Sequence, residues 1–480
     1  MRLKFKPEDF AVKESWRFDE VHGGGYFVYA MDKQKLSTFQ AVDRIVLRVK
    51  VPRSAVSFCG LKDKQGRTEQ LIAIKGQDIT LQEPDIKLRL VGETDAPLSA
   101  KNTVSNRFGV TVRDLEPHEV ERLPESVAEI NRLGVVNYFD SQRFGHLKHG
   151  QGFIAKDLIK GEWEHALHNL IAQPSPLDKS DDHTLKTFWK EHWKDWRAHG
   201  PTPDPRTYNI LRVLREKPTD FKTAFLSIEP RYRALILFTY QSYLWNEGVK
   251  LLLLDLLPRK ALCQIPYQVG ALLFPREASS ATTRFLRTGS FPLLAPDSGT
   301  QLPEGDGNPA AVRRAVEGTL KREKLTLPSL EIRDAPLFFK HEERALTVVP
   351  GKLVVGHAER DEHFPGRFRV RLSFTLPSGS YATLVVRRLF WFSEARERDP
   401  AGEEAPPRVA APSSSSTARL PSQSSATAAE TSAPAPRGFL AKKRARQDAR
   451  EATRARGPTP LGPKKAQKQT QQTATKGKRP

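Results

Sequence analysis

A single carboxylate stands between two lysines in a short charged segment. Asp63 is flanked by Lys62 and Lys64, and apolar stretches at 55–59 and 71–74 lie on either side. Neighbouring cations favour the ionised carboxylate, which is the state of a nucleophile rather than of a general acid. Turns between strands are also commonly charged because they are solvated, so the spacing alone leaves both interpretations open.

A second segment, "NYFDSQRFG" at 137–145, combines aromatic rings with amides and an arginine. This mixture suits an extruded base or a single-stranded loop, because rings stack on bases while polar groups hydrogen-bond to base edges. The residues with these properties are Asn137, Tyr138, Phe139, Gln142, Arg143 and Phe144. A buried strand or turn with satisfied polar groups would use the same residue types.

Tryptophans and histidines form two weaker patterns. Trp189, Trp193 and Trp196 recur at helical spacing, which is typical of core packing, with nucleic-acid contact as the alternative. His146 and His149 lie close together, but no third ligand follows at the spacing of a metal site. No metal centre is therefore predicted.

The charge of the chain favours a polyanionic partner. Lys and Arg number 77 against 56 Asp and Glu, a formal net charge of +21 over 480 residues. Nucleic acid is the commonest polyanion for such a surplus, and no basic amphipathic helix suits a membrane surface. Two cysteines exclude a disulfide framework and a Cys-based zinc site. With no apolar segment of membrane-spanning length and no signal peptide, we expect a soluble intracellular protein.

The elements that must position these residues follow a mixed α+β pattern. The predicted strands are 25–31, the two flanks of the Asp63 turn, "RFGVTVRD" and "RFRVRLSF". The predicted helices are a segment from Ser37 or Thr38 to before Pro52, about 117–133 with a break near Pro124, the Trp segment, and about 231–257.

The C-terminal part of the chain has a different composition. Residues 401–480 are rich in Pro, Ser, Ala and Thr and carry 16 basic and 5 acidic residues, about half of the basic surplus. Such a segment buries too little apolar surface to offset its ordering entropy, so disorder is predicted. We interpret its basic clusters, such as "AKKRARQDAR", as a nonspecific RNA tether, with a nuclear signal as the alternative.

Six motifs, in order and at suitable spacing, resemble those of the TruD family of RNA pseudouridine synthases. They are "KFKPEDFAVKE", "STFQAVDRI", "GLKDKQGRTEQ", "NYFDSQRFG", "QSYLWN" and "LPSGSYATLVVRRL". The third resembles the catalytic motif of the family, and the last resembles its C-terminal G-S-[YF]-A-T strand. The resemblance covers most of the first 393 residues, and six ordered motifs are more specific than any one.

The resemblance implies an α+β fold. A pseudouridine synthase catalytic core, with a mixed or antiparallel sheet and helices, would be interrupted by a family-specific inserted α+β domain. The catalytic domain would comprise 1–145 and 341–393, and the inserted domain would comprise 146–340. The disordered basic tail at 394–480 is predicted by composition and lies outside the resemblance. This division agrees with the change of pattern after Gly145 and with the return of alternating strands near the end.

The resemblance also implies roles for individual residues. Asp63 matches the catalytic aspartate of the family, and Lys4 matches its basic neighbour. Asn137 matches an asparagine that helps to hold the acid, and Phe139 matches an aromatic residue that packs against the target base. The candidates for RNA contact are Lys62, Lys64, Gln142, Arg143 and Arg387. The reaction is an isomerisation, so no cofactor and no metal are expected.

The implied activity is conversion of a uridine of tRNA, expected to be uridine 13 of the D-arm, to pseudouridine. The C1′–N1 bond breaks, the uracil turns and a C1′–C5 bond forms, and the aspartate either attacks C1′ or removes the 2′-proton. We expect a cytoplasmic monomer that binds tRNA, with other RNAs as open candidates and with neither a membrane nor a protein partner. The alternative is a non-catalytic RNA-binding or RNA-chaperone protein on the same fold.

Three positions depart from the family pattern. Asp140 replaces the glycine after "NYF", and Gly66 replaces a small apolar residue. Arg388 follows Arg387 where the family often has Glu. We expect these differences to affect substrate preference or efficiency more than the reaction itself.

Overall fold

The computed structural model describes residues 1–145, 147, 150–298, 308–333 and 335–390. Its strands are β1 Phe10–Trp16, β2 Tyr26–Gln34, β3 Val56–Phe58, β4 Arg67–Lys75, β5 Gln82–Glu83, β6 Ile86–Thr94, β7 Thr103–Leu115, β8 Val135–Val136, β9 Leu262–Tyr267, β10 Gly270–Pro275, β11 Ser290–Leu293, β12 Glu342–Ala345, β13 Thr347–Val348, β14 Gly351–Val355, β15 Glu359–Arg360 and β16 Phe368–Pro377. Its helices are α1 Thr38–Val49, α2 Pro117–Glu121, α3 Leu123–Leu133, α4 Ile154–Ile159, α5 Trp163–Ile171, α6 Ser180–Glu191, α7 Pro205–Glu216, α8 Phe221–Leu226, α9 Pro230–Leu256, α10 Ser280–Thr288, α11 Pro309–Glu323 and α12 Ala382–Phe390.

A ten-stranded mixed sheet is the frame of the fold. Its strands run in the order β14, β16, β7, β1, β4, β2, β6 and β5, while β3 pairs with β4 and β15 pairs with β16. β1 and β4 are parallel, and the pairs on either side of them are antiparallel. Because β16 lies directly beside β7, the sheet joins two parts of the chain that the long helical segment separates. The predicted α+β fold is therefore confirmed.

The contact between β7 and β16 explains the apolar alternation of both strands. Phe374 lies opposite Phe108 and Leu372 lies opposite Val110. The two phenylalanine rings stack at 5.5 Å, and all four side chains are buried. Side chains at alternate positions share one face of a strand, so this face joins the main apolar core. The strand prediction for both segments is confirmed.

Helix α1 is fixed at its first turn beside the Asp63 segment. Ser37 and Gln40 form a capping box, because each side chain accepts a hydrogen bond from the backbone N–H of the other. Ala41, Val42 and Ile45 are fully buried against one face of the sheet. The cap that the sequence predicts thus fixes the position of the neighbouring Thr38, which contacts the candidate site.

The longest helix, α9, has 27 residues, and α4 and α11 pack against it. Its Leu244 and Trp245 are fully buried. One apolar cluster contains these residues together with Val110 and Leu372 of the sheet. Because this core is continuous, the predicted domain boundaries at 145 and 340 stay predictions.

The tryptophans of the sequence pattern pack, but they do not share one helix. α6 ends at Glu191, and Lys194 adopts a left-handed backbone conformation with φ of 76°. Trp193 and Trp196 therefore follow the helix, and the prediction of one helical face is wrong. Trp189 and Trp196 are buried, and the rings of Trp193 and Trp196 meet at 4.9 Å. The core-packing interpretation is confirmed.

The segment after β16 is a helix, although the resemblance of its motif to a strand of the family predicted a strand. Both edges of β16 are occupied, by β7 on one side and by β14 and β15 on the other. The chain turns at Gly379, where φ is 82°, and α12 then packs against α3. A strand here would find no free edge beside β16, which accounts for the difference. The predicted tail at 394–480 and the His146–His149 pair lie outside the described residues.

None of the helices in the described part of the chain combines the length and the apolar character that crossing a bilayer would need.

Candidate active site

Two adjoining clefts collect most of the predicted site residues. The larger, of about 720 Å³, is lined by Lys4, Lys62, Asp63, Gln142 and Arg143, together with Tyr381 and others. The smaller, of about 330 Å³, is lined by Asn137 and Phe139. Arg143, Ser378 and Ser380 line both clefts. Residues from the N-terminus, the β3–β4 turn, the segment after β8 and the segment before α12 therefore meet at one place.

The Asp63 carboxylate is held at the wall of the larger cleft. Its Oδ2 accepts a hydrogen bond from Lys4 Nζ, and its Oδ1 accepts one from Gln65 N at 3.0 Å. Each side chain of the Lys4–Asp63 pair is 15% exposed. Lys4 has φ of 56°, an uncommon backbone conformation for this residue type, and its ammonium group lies 4.4 Å from the Phe10 ring centroid. The structure thus brings Lys4 and Asp63 together, as the resemblance implies.

A buried lysine also holds the main chain of Asp63. Lys33 Nζ donates to the carbonyl oxygen of Asp63 at 3.0 Å and to that of Leu36 at 2.7 Å. Lys33 is 1% exposed. The turn is therefore fixed both at the carboxylate and at its own backbone.

Helix α1 and strand β4 hold the residues next to Asp63. Thr38 Oγ1 accepts a hydrogen bond from Lys62 N at 2.9 Å and donates to Gln70 Oε1 at 2.9 Å. Gln70 Nε2 donates to the carbonyl oxygen of Gly60 at 3.1 Å. These buried side chains satisfy backbone groups that a turn would otherwise leave to water. They give the carboxylate a fixed direction toward the cleft.

The two lysines that flank Asp63 in sequence do not pair with it. Lys62 Nζ donates to Glu14 Oε1 at 2.6 Å, and the fully buried Glu14 also accepts from Leu71 N at 2.9 Å. Lys64 is exposed. Adjacent residues of a turn point in different directions, so the cation beside the carboxylate is Lys4 instead. The ammonium group of Lys62 is turned to Glu14 rather than presented to a polyanion.

Asn137 and Phe139 surround an arginine that the sequence analysis did not select. Arg344 donates to Asn137 O and Oδ1, both at 2.8 Å, and its guanidinium carbon lies 4.1 Å from the Phe139 ring centroid. Asn246 Oδ1 accepts a hydrogen bond from Phe139 N at 2.9 Å. Within the described residues, the Asn137 side chain makes no hydrogen bond to Asp63. Asn137 therefore holds Arg344 in place, and its predicted role in holding the Asp63 carboxylate stays a prediction.

Two departures from the family pattern form buried ion pairs. Asp140 Oδ1 accepts from Arg387 Nη1 at 3.1 Å, and Thr383 donates to Oδ2 of the same carboxylate. Arg388 Nη2 donates to Glu129 Oε2 at 2.7 Å. The charge added at each position is thus balanced by a neighbour. Arg387 is 8% exposed in this ion pair, and its predicted contact with RNA stays a prediction.

The third departure, Gly66, lies against β1. A Cβ atom at this position would come within 2.3 Å of the carbonyl oxygen of Phe10. At Gly60, on the other side of the turn, a Cβ atom would meet nothing within 4 Å. The glycine therefore allows the close approach of the turn to β1.

Lys33, Glu14 and Arg344 are the structural partners that sequence reasoning missed. Of the three, only Lys33 could be recognised from the local sequence. It alternates with the buried Tyr29 and Met31 along β2 and so lies on the same face of the strand. A lysine on the core face of a strand needs a buried partner. Glu14 and Arg344 owe their positions to pairings between distant parts of the chain.

Burial lowers the pKa of Lys33 to about 8, although the Asp63 carboxylate opposes this shift; the nearby Lys62 adds to it. Between pH 8 and the ordinary lysine pKa of about 10.4, Lys33 is protonated in the unfolded chain but largely deprotonated in the folded protein. We therefore expect the free energy of unfolding of the wild type, measured relative to Lys33→Met, to rise by about 2 kcal/mol between pH 7.5 and 9.5.

Denaturant titrations of both proteins across this pH range would measure the effect. Lys64→Met is the control for removal of a lysine from an exposed position of the same turn. A constant difference between the wild type and Lys33→Met would contradict the lowered pKa.

Comparisons with known proteins identify the family of the chain. A family model described as tRNA pseudouridine synthase D (TruD) matches residues 1–389. "Probable tRNA pseudouridine synthase D 2" of Methanocaldococcus jannaschii is 33% identical, over 83% of this chain and 93% of its own. "tRNA pseudouridine synthase D" of Aquifex aeolicus is 29% identical, over 81% of this chain and 98% of its own. The crystal structure of a Methanosarcina mazei protein assigned to TruD has a similar fold, with a TM-score of 0.56 at 24% identity over 81% of this chain and 93% of its own. The chain therefore belongs to the TruD family of tRNA pseudouridine synthases.

Proposed function

We propose that this pseudouridine synthase acts on uridine 13 of the tRNA D-arm and that Asp63 is its catalytic residue. One observation carries the assignment of the acid. Among the described residues that line the larger cleft, Asp63 is the only one with a carboxylate. Its contacts with Lys4 and Lys33 hold it at the wall of this cleft, where we propose that the ribose enters.

The chemistry fits a single carboxylate. Asp63 either attacks C1′ as the C1′–N1 bond breaks, or removes the 2′-proton to give a glycal. The uracil leaves as a delocalised anion and turns, and its C5 bonds to C1′ as the Asp63–C1′ bond breaks or, on the glycal route, as C2′ regains its proton. C5 then loses its hydrogen as a proton, and N1 gains one. Because the leaving group is stabilised by resonance, this reaction does not need the second carboxyl group that glycosidases use.

The walls of the cleft suit an extruded base. The target uridine must leave its stack before Asp63 can reach the sugar. Tyr381 lines the cleft beside Asp63, and its ring lies 6.4 Å from that of Phe139, centroid to centroid. Aromatic walls would replace part of the stacking that the base loses. The basic chain would hold the rest of the RNA mainly through its phosphates.

A non-catalytic RNA-binding protein is the rival proposal. A fixed carboxylate repels a polyanion, so binding alone gives no reason for the contacts that orient Asp63.

We also propose the predicted division into a catalytic domain at 1–145 and 341–393 and an inserted domain at 146–340. A cytoplasmic monomer remains our expectation.

Mapping of pseudouridine in a tRNA transcript tests the target. With a transcript that carries uridine 13, we expect one new pseudouridine, at that position. The matched transcript with cytidine 13 should bind equally well and gain none. Pseudouridine at another site would replace the proposed target, and bound RNA that gains none at all would favour the rival.

A further inference from the structure

Arg143 lines both clefts and Arg344 lines the smaller one, and both arginine side chains donate only to neutral groups within the described residues. Arg143 Nε donates to Ser242 Oγ at 3.2 Å. Arg344 donates to Asn137 and, through Nη2, to the carbonyl oxygen of Gly379 at 3.0 Å. Within the part of the chain that the structure describes, neither guanidinium group forms an ion pair. Two cations are therefore held in a partly buried place without a carboxylate to balance them.

Burial makes this arrangement costly for the free protein. Burial lowers the pKa of Arg344 to about 10 and also lowers the pKa of Arg143. Arg143 lowers the pKa of Arg344 further, while Tyr381 and Glu342 act in the opposite direction. A partly buried charge without a partner is retained at a cost that a bound anion would offset.

A hydroxyl group completes the set of unused donors. Ser380 Oγ is buried and, within the described residues, has no hydrogen-bond partner. Ser380 lines both clefts, as Arg143 does. Its neighbour Gly379 accepts from Arg344, which ties this segment to the arginine. The junction therefore offers two guanidinium groups and one hydroxyl group.

The acidic residues of the smaller cleft have other partners. Glu342 lies 3.9 Å from Lys340 Nζ, and Glu343 Oε2 accepts from Ser290 Oγ at 2.7 Å. Neither is among the residues that line the larger cleft. An anion beside Arg143 and Ser380 could therefore contact the donor groups of these residues from the larger cleft, which Glu342 and Glu343 do not line.

We propose that Arg143, Arg344 and Ser380 bind one phosphodiester group of the RNA strand, next to the nucleotide whose base enters the cleft. Planar guanidinium forks suit phosphate oxygens, and phosphate accepts without donating. A base edge usually offers donors as well as acceptors, which these groups would satisfy only in part. The proposal rests on the proposed function, since it assumes that RNA enters the Asp63 cleft. It adds a positioning site that would hold the strand while the base is extruded.

The test compares Arg344→Gln and Arg143→Gln with wild type in tRNA binding at several salt concentrations. Loss of one phosphate contact should raise the Kd about tenfold and reduce the slope of log K against log salt by about one. At enzyme concentrations well below the Kd, the single-turnover rate should fall by about the same factor as the affinity. Arg314→Gln is the control, because Arg314 is exposed on α11 in an ion pair with Asp255 and should change neither quantity.

A neutral methylphosphonate at single positions of the tRNA D-arm gives a second, independent readout. At one position it should weaken wild-type binding about tenfold, and it should have no additional effect on Arg344→Gln. An unchanged salt slope with a large loss of the saturated rate would overturn the proposal, since the arginines would then act on the reacting base. Additive effects of the methylphosphonate and the substitution at every position would also overturn it.

These binding measurements separate this proposal from the proposed function. If the wild type formed no pseudouridine but showed the predicted coupling, the proposed activity would fail and the phosphate site would stand. If pseudouridine formed without the coupling, only the phosphate site would fail.

Ser380→Ala should give a smaller increase in Kd with an unchanged salt slope, because a hydroxyl group carries no charge.

Discussion

Asp63→Asn is expected to lower the single-turnover rate of pseudouridine formation by roughly 10⁴-fold or more. The amide has nearly the shape of the carboxylate, but it can neither attack C1′ nor remove a proton from the sugar. Removal of a negative charge from the cleft should leave tRNA affinity unchanged or slightly higher. Single-turnover assays with saturating enzyme and a separate binding titration would measure both quantities.

Asp32→Asn is the matched control. Asp32 makes the same kind of contact elsewhere on the sheet, since its Oδ2 accepts from Arg67 Nη2 at 2.6 Å. This pair is largely exposed, so the change should affect neither rate nor affinity appreciably. A rate for Asp63→Asn within tenfold of the wild type would remove Asp63 from the catalytic role.

Arg113→Met is expected to lower the free energy of unfolding by about 3–5 kcal/mol. Arg113 is 2% exposed and donates to both oxygens of Asp9, at 2.8 and 3.0 Å, and to Asp361 Oδ1 at 3.2 Å. Asp9 and Asp361 are also buried. The substitution removes the cation that balances both buried carboxylates and leaves them with backbone hydrogen bonds only, which is why the expected cost is high. Denaturant unfolding of the full chain would measure it.

The same cluster joins the two parts of the chain that form the sheet. Asp9 directly precedes β1, and Asp361 lies between β15 and β16. Arg67→Met, which removes an exposed ion pair, should cost no more than about 1 kcal/mol. Similar costs for Arg113→Met and Arg67→Met would mean that the buried cluster does not hold the two parts together.

Local patterns predicted the elements around the site but not the contacts within it. Alternation in "RFRVRLSF" and the cap at Ser37 follow from side-chain periodicity and from the needs of a helix N-terminus, and both are found. The charges next to Asp63 suggested the wrong partners. Lys62 turns to Glu14 because a buried carboxylate on the adjacent strand needs a cation, which spacing within the turn cannot reveal.

The residues that complete the site come from distant parts of the chain. Arg344 reaches Asn137 because β12 and β13 return to the segment around β8, a consequence of topology rather than of local pattern. The resemblance supplied Lys4 as a neighbour of Asp63, and the contact is present. It also suggested a strand where α12 forms, since a motif does not show which sheet edges are already occupied.

Release of tritium from tRNA that carries C5-tritiated uridine tests the central claim most directly. Formation of the C1′–C5 bond requires loss of the C5 hydrogen, so the wild type should release one tritium for each pseudouridine formed. Asp63→Asn should bind the same tRNA and release none above background. Equal release by both proteins would contradict the assignment of Asp63, and no release by the wild type from any tRNA would contradict the proposed activity.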